Sequence, residues 1–95
     1  MSVVHIRVYR TEHGRNNVSY KIEWSDLEGS ITSVTGIEAA ASRCKQYIQR
    51  SHAHNTFKVI FEPDCHMLVF DGKLRSCKQL TAAEADRFTK AMFGH

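Results

Sequence analysis

No run of apolar residues in this chain approaches the roughly 20 that a membrane-spanning helix needs. The opening residues, Met1-Ser2-Val3-Val4-His5, lack the basic start and long apolar stretch of a secretory signal. Cysteine is sparse and odd in number. Three residues, Cys44, Cys65 and Cys77, argue against a secreted disulfide framework and for reduced thiols. There is no low-complexity stretch, no usable internal repeat and no linker. No catalytic signature stands out either. These absences lead us to expect one cytoplasmic domain over residues 1–95 that is not an enzyme and carries no cofactor.

Within 95 residues, 42% are apolar, enough for one modest core. Thirteen Lys and Arg against ten Asp and Glu leave a net charge of +3, a mildly basic balance. Dedicated DNA-binding modules are usually more basic. Two short motifs organise what remains: Thr35-Gly36-Ile37-Glu38 and Thr81-Ala82-Ala83-Glu84. Each reads as a capping box, in which Thr and Glu satisfy orphan backbone donors at a helix start. After the first, Ile37, Ala40, Ala41, Cys44, Tyr47 and Ile48 form a continuous helical stripe. After the second, Ala85, Phe88 and Met92 continue one face, with Leu80 as a hydrophobic staple and Gly94 as C-cap.

Strand signals fill the rest. Val4, Ile6 and Val8 alternate with polar neighbours, and Val18, Tyr20, Ile22 and Trp24 do so again after a turn at Gly14 to Asn17. Ser30 to Val34 reads as a shorter third strand. Phe57, Val59 and Phe61 form a fourth, stopped at Pro63. Leu68 and Phe70 lead into Asp71-Gly72, a strong hairpin signal, with Lys73 to Lys78 returning. The expected fold is α+β: a single antiparallel sheet with two helices packed on one face, in the order β-β-β-α-β-β-β-α. Tyr20, Trp24, Phe57 and Phe61 should pack against Ala40, Cys44 and Ile48.

Four kinds of chemistry are available to these residues. His52, His54, Cys65 and His66 are borderline ligands of the kind zinc accepts, but their spacing matches no standard finger, and a solvated loop is the simpler account. No metal is expected. Cys65 and His66 are strand neighbours pointing to opposite faces, so they are poorly placed as a nucleophilic pair. Glu23, Asp26 and Glu28 cluster around one turn without a converging second acidic group, leaving an acidic contact surface rather than a metal-assisted nuclease. Basic residues gather in three places: Arg7, Arg10 and Arg15; Arg43, Lys45 and Arg50; Lys73, Arg75 and Lys78. Phosphate attraction needs such clusters, yet no RNA-recognition aromatics or helix-turn-helix pattern accompanies them. Met67, Val69 and Tyr9 are expected on the sheet face away from the helices, as apolar surface for a partner, unless they pack under the second helix.

Two resemblances bear on function. Asn17 to Gln49, three short strands followed by Thr35-Gly36-Ile37-Glu38-Ala39-Ala40, resembles HicB-type antitoxins, which use a partial ribonuclease-H-like β-β-β-α-β core to occlude a toxin. In size, compactness and the Ala-rich helix between strands, the chain is similar to small phage-encoded anti-CRISPR proteins. Both resemblances imply a stoichiometric binder that blocks another macromolecule. On that reading Glu23, Asp26 and Glu28 mimic phosphate against a basic groove, or Arg43, Lys45 and Arg50 meet an acidic protein surface. The expected partner is a protein complex that handles nucleic acid. The alternative is a small nucleic-acid-binding regulator working through Arg7, Arg10, Arg15, Lys73, Arg75 and Lys78.

Overall fold

The computed structural model describes residues 3–12, 18–25, 31–50, 56–63 and 66–94. Its elements are β1 (Val3–Glu12), β2 (Val18–Trp24), β3 (Ile31–Val34), α1 (Ile37–Arg50), β4 (Thr56–Ile60), β5 (Met67–Phe70), β6 (Lys73–Lys78) and α2 (Ala82–Phe93). The expected α+β order is what forms, as one six-stranded sheet with two helices. The sheet runs β3-β2-β1-β6-β5, and β4 also pairs with β1. Four of these pairings are antiparallel, and the β1–β4 pairing, from Val3↔Thr56 to Arg7↔Ile60, is parallel. A parallel return requires a connection that carries the chain back to the same end of the sheet, and α1 lies in that connection. The long first strand is therefore central. β2 runs along one of its edges, while β4 and β6 share the other.

Alternation in β1 and β2 puts Val4, Ile6, Val8, Tyr20, Ile22 and Trp24 on the helix side. They meet Ile37, Ala40, Ala41 and Cys44 of α1 and Phe88 and Met92 of α2. The strand aromatics join this core as expected. Trp24 stacks against Tyr47 with ring centroids 4.9 Å apart, and Phe61 meets Phe88 edge-on at 5.6 Å. Full burial of side chains of this size stabilises by about 1.5–3 kcal/mol each. Burial also pushes the Cys44 thiol up to about 12, so it stays protonated and unreactive.

The second capping box forms as its sequence implies, with Thr81 as N-cap and Glu84 reaching back to the Thr81 N–H at 2.9 Å. Gly94 closes α2 in the left-handed region, its N–H donating to the Lys90 carbonyl at 2.7 Å. The first box does not close on Thr35. The first helical bond runs from the Ala40 N–H to Gly36, so Gly36 is the flanking residue and Glu38 sits one position too early. The Glu38 carboxylate instead accepts a forked pair of bonds from Arg87 at 2.6 and 2.8 Å, joining the two helices. At the β5–β6 turn, Asp71 and Gly72 both take positive φ, as a tight hairpin of this kind demands.

On the helix-free face the middle of the sheet is buried too. Tyr9, Thr11 and Lys21 on that side are fully buried, together with Ser19 and Cys77. Tyr9 is therefore no docking surface, contrary to expectation. From the β5–β6 hairpin, Arg75 Nη1 reaches back across β1 to donate to Ser19 Oγ at 3.2 Å. Burial drives Lys21 from its ordinary 10.5 down to about 8, helped by the Arg75 charge and opposed by Asp71 and Cys77. Below pH 8 the folded protein must hold a buried ammonium that the unfolded chain holds in water. Between 8 and 10.5 the unfolded chain binds more protons, so this contribution to stability rises with pH. Lys21→Met should accordingly be more stable than wild type at pH 7. Its advantage should shrink toward zero as pH is raised from 8 to 10.5, read by urea denaturation at each pH. An advantage independent of pH would show that Lys21 does not titrate in this way.

Candidate functional site

The basic residues divide into those that hold the fold together and those that remain on its surface. Arg10 and Lys78 are cross-strand partners on the helix side of the β1–β6 pair. Arg10 donates to Glu84 Oε1 at 2.9 Å and to Glu12 Oε1 at 3.1 Å, and Lys78 meets Glu12 Oε2 at 2.7 Å. The Lys78 hydrogen bond, with Arg10 nearby, holds Glu12 below the usual carboxylate range. Glu84 is buried, and burial alone would raise its pKa. Hydrogen bonds from the Tyr20 hydroxyl and the Thr81 N–H, together with the Arg10 charge, hold it below 4.5. Tyr20 in turn is pushed up to about 12 by burial and by donating to Glu84.

The remaining members of the expected nucleic-acid surface lie elsewhere. Arg7 Nη1 donates to the Glu62 carbonyl at 2.9 Å, and Arg75 is turned to the helix-free face. Lys73 is exposed beside the hairpin turn, and Arg15 lies outside the described residues. The pleat thus sends Arg7 and Arg75 to one side of the sheet and Arg10 and Lys78 to the other. Among the described members of this set, no one face of the sheet carries them all. The acidic set is similarly divided. Glu23 is half-buried opposite Arg7 on β2, whereas Asp26 and Glu28 fall outside the described residues.

Helix α1 keeps its cations at the surface. Arg43 and Arg50 are exposed, are seven residues apart on one flank, and have no ion-pair partner among the described residues. Lys45 is on the opposite flank, ~200° around the helix from Arg43. It faces α2, where its Nζ donates to the Ala91 carbonyl at 3.3 Å. Lys45, Ile48 and Gln49 of α1 and Met92 and Phe93 of α2 line a shallow groove of about 210 Å³. Phe93 is 60% exposed there. Sequence reasoning missed Phe93, although it is legible as an aromatic lying off the Ala85, Phe88 and Met92 stripe.

Of the residues considered for a metal, His52, His54 and Cys65 lie outside the described residues. His66 is exposed, its carbonyl accepting from the Cys77 N–H at 2.8 Å. Among the described residues no group of three or more His, Cys, Asp or Glu is placed to hold an ion. No helix of those residues is long and apolar enough to cross a membrane. Comparison of the chain with protein-family models, curated proteins and solved structures finds no match.

The two classes of cation should separate by stability. Arg10→Ala leaves the buried Glu84 short of a compensating charge and should cost roughly 2–4 kcal/mol. Arg43→Ala and Arg50→Ala should stay within about 0.5 kcal/mol of wild type, as exposed substitutions do. Chemical denaturation of the three variants checks this division. Equal costs would erase it.

Proposed function

We propose that this chain is a non-enzymatic binding protein of the cytoplasm. It attaches stoichiometrically to a protein of a nucleic-acid-handling complex and inhibits or regulates that complex, in the manner of the anti-CRISPR proteins it resembles. The observation that carries the reading is the outer surface of the helix pair. There Arg43 and Arg50 stand exposed with no acidic partner among the described residues, and the Lys45–Phe93 groove lies on the other flank of α1. Unpaired arginines on one flank and an exposed aromatic on the other suit a protein surface with acidic character, because interface cores favour Arg and aromatics and charged rims steer encounter. Within Asn17 to Gln49, the span of the HicB-type resemblance, the described strands before α1 are two, β2 and β3, rather than three.

The nucleic-acid alternative has less support. Two of its cations, Arg10 and Lys78, are already engaged with Glu12 and Glu84, and its members are divided between two faces. A phosphate-binding surface gains affinity by releasing counterions from the nucleic acid, which requires cations free to contact successive phosphates.

The test is affinity capture from a native host lysate with and without nuclease, using wild type and Arg43→Glu/Arg50→Glu. The proposal expects a stoichiometric protein partner that survives nuclease. The double reversal should weaken its retention roughly tenfold or more, since like charges at an interface cost several kcal/mol. Recovery of nucleic acid alone, lost at moderate salt, would overturn the proposal in favour of the alternative.

A further inference from the structure

Helix α1 has three sides. Ile37, Ala40, Ala41 and Cys44 face the core, and Glu38, Lys45 and Gln49 lie toward α2. Ala39, Arg43, Gln46 and Arg50 share the third side, and all four are exposed. At about 100° per residue they fall within about 60° of one another, roughly a third of a turn from either of the other two sides. Their spacing of four, three and four residues is that of a helix-pairing seam. Such a seam lets a second helix lie alongside at a small crossing angle.

This seam is charged rather than apolar. Arg43 and Arg50 have no ion-pair partner among the described residues. The one acidic residue of α1 is Glu38, and its carboxylate is held by Arg87 on α2. No carboxylate on α1 therefore competes for the two arginines. Seven residues of helix set them about 10.5 Å apart along the axis. Gln46 lies between them without charge, and Ala39 is small enough for close approach. An arginine stem packs along apolar surface while its fork grips a carboxylate with two bonds.

Taking the partner to be a protein, the reading on which this rests, we propose that the seam pairs with an acidic α-helix of that partner, one carrying Asp or Glu seven residues apart. Such a helix repeats its carboxylates at the same spacing of about 10.5 Å, so both ion pairs form at once with the axes nearly aligned. A β-strand presents the side chains of one face about every 6.7 Å and is out of step with the arginine pair.

Photo-crosslinking from the seam tests this. A benzophenone amino acid replaces Gln46, leaving both arginines in place, or replaces the exposed Lys58 of β4 as a control. Each full-length protein is irradiated in native host lysate treated with nuclease, and the crosslinked peptides are sequenced. The Gln46 probe, and not the Lys58 probe, should join a helical segment whose attached residues recur at three- and four-residue spacing, with acids seven apart. Adding Arg43→Glu/Arg50→Glu should cut the yield roughly fivefold or more, because like charges then meet across the contact. Changing the two acids of the segment to Lys should restore it. Adducts on a loop, a strand or a helix without such acids overturn this inference and leave the protein-partner reading standing. So does equal labelling from Lys58, or failure of the charge swap to rescue. Absence of any protein adduct from Gln46 overturns this inference, and if affinity capture also returns no protein the broader reading falls with it.

Discussion

A carboxylate buried at the start of a helix is costly unless its environment replaces the water it loses. Glu84 is such a group, and α2 is seated by the way its charge is met. Its two oxygens take donors from three elements: the N–H of Thr81 at the helix start, the Tyr20 hydroxyl on β2 and the Arg10 guanidinium on β1. One side chain thus completes the capping box and ties α2 to both central strands. Phe88 and Met92, one and two turns further along, then fall onto the core beside Phe61. Burial is the largest single influence on Glu84, but the hydrogen bonds and the Arg10 charge together outweigh it, so the link is present at neutral pH and lost as acid protonates it.

That arrangement also decides which charges remain for other molecules. Arg10 and, through Glu12, Lys78 belong to the same ion-pair chain. Arg87 is held by Glu38 and Lys90 by Asp86. The mild net positive charge of the sequence is therefore not spread evenly over the surface. On the helices it is concentrated in Arg43, Lys45 and Arg50, of which the first and last share a flank. The functional proposal follows from this allocation rather than from the total charge.

Much of the architecture was legible because local and tertiary preferences agree. The α1 stripe, the box at Thr81, the Asp71-Gly72 turn and the Gly94 cap each depend on residues close in sequence. Strand partnership does not. The parallel contact between β1 and β4 links residues more than 50 positions apart, and nothing in either strand's alternation encodes its neighbour. The Thr35 box shows the converse limit. Its spacing is correct, but Arg87 on a distant helix offers Glu38 a forked ion pair, and the helix starts at Ile37. The expected basic surface was misleading for a related reason: proximity in sequence ignores the pleat, which separates Arg7 from Arg10. Phe93 was visible as an off-stripe aromatic, but its groove exists only once α1 lies alongside α2.

The central claim is that Glu84 and its partners act as one coupled unit rather than as independent contacts. A double-mutant cycle of Tyr20→Phe and Glu84→Gln, followed by urea denaturation at neutral pH, measures that coupling directly. The account predicts that the two losses are non-additive by roughly 1 kcal/mol or more, as for contacting members of a buried network. Losses that add to within about 0.5 kcal/mol would contradict it, because independent sites behave in that way.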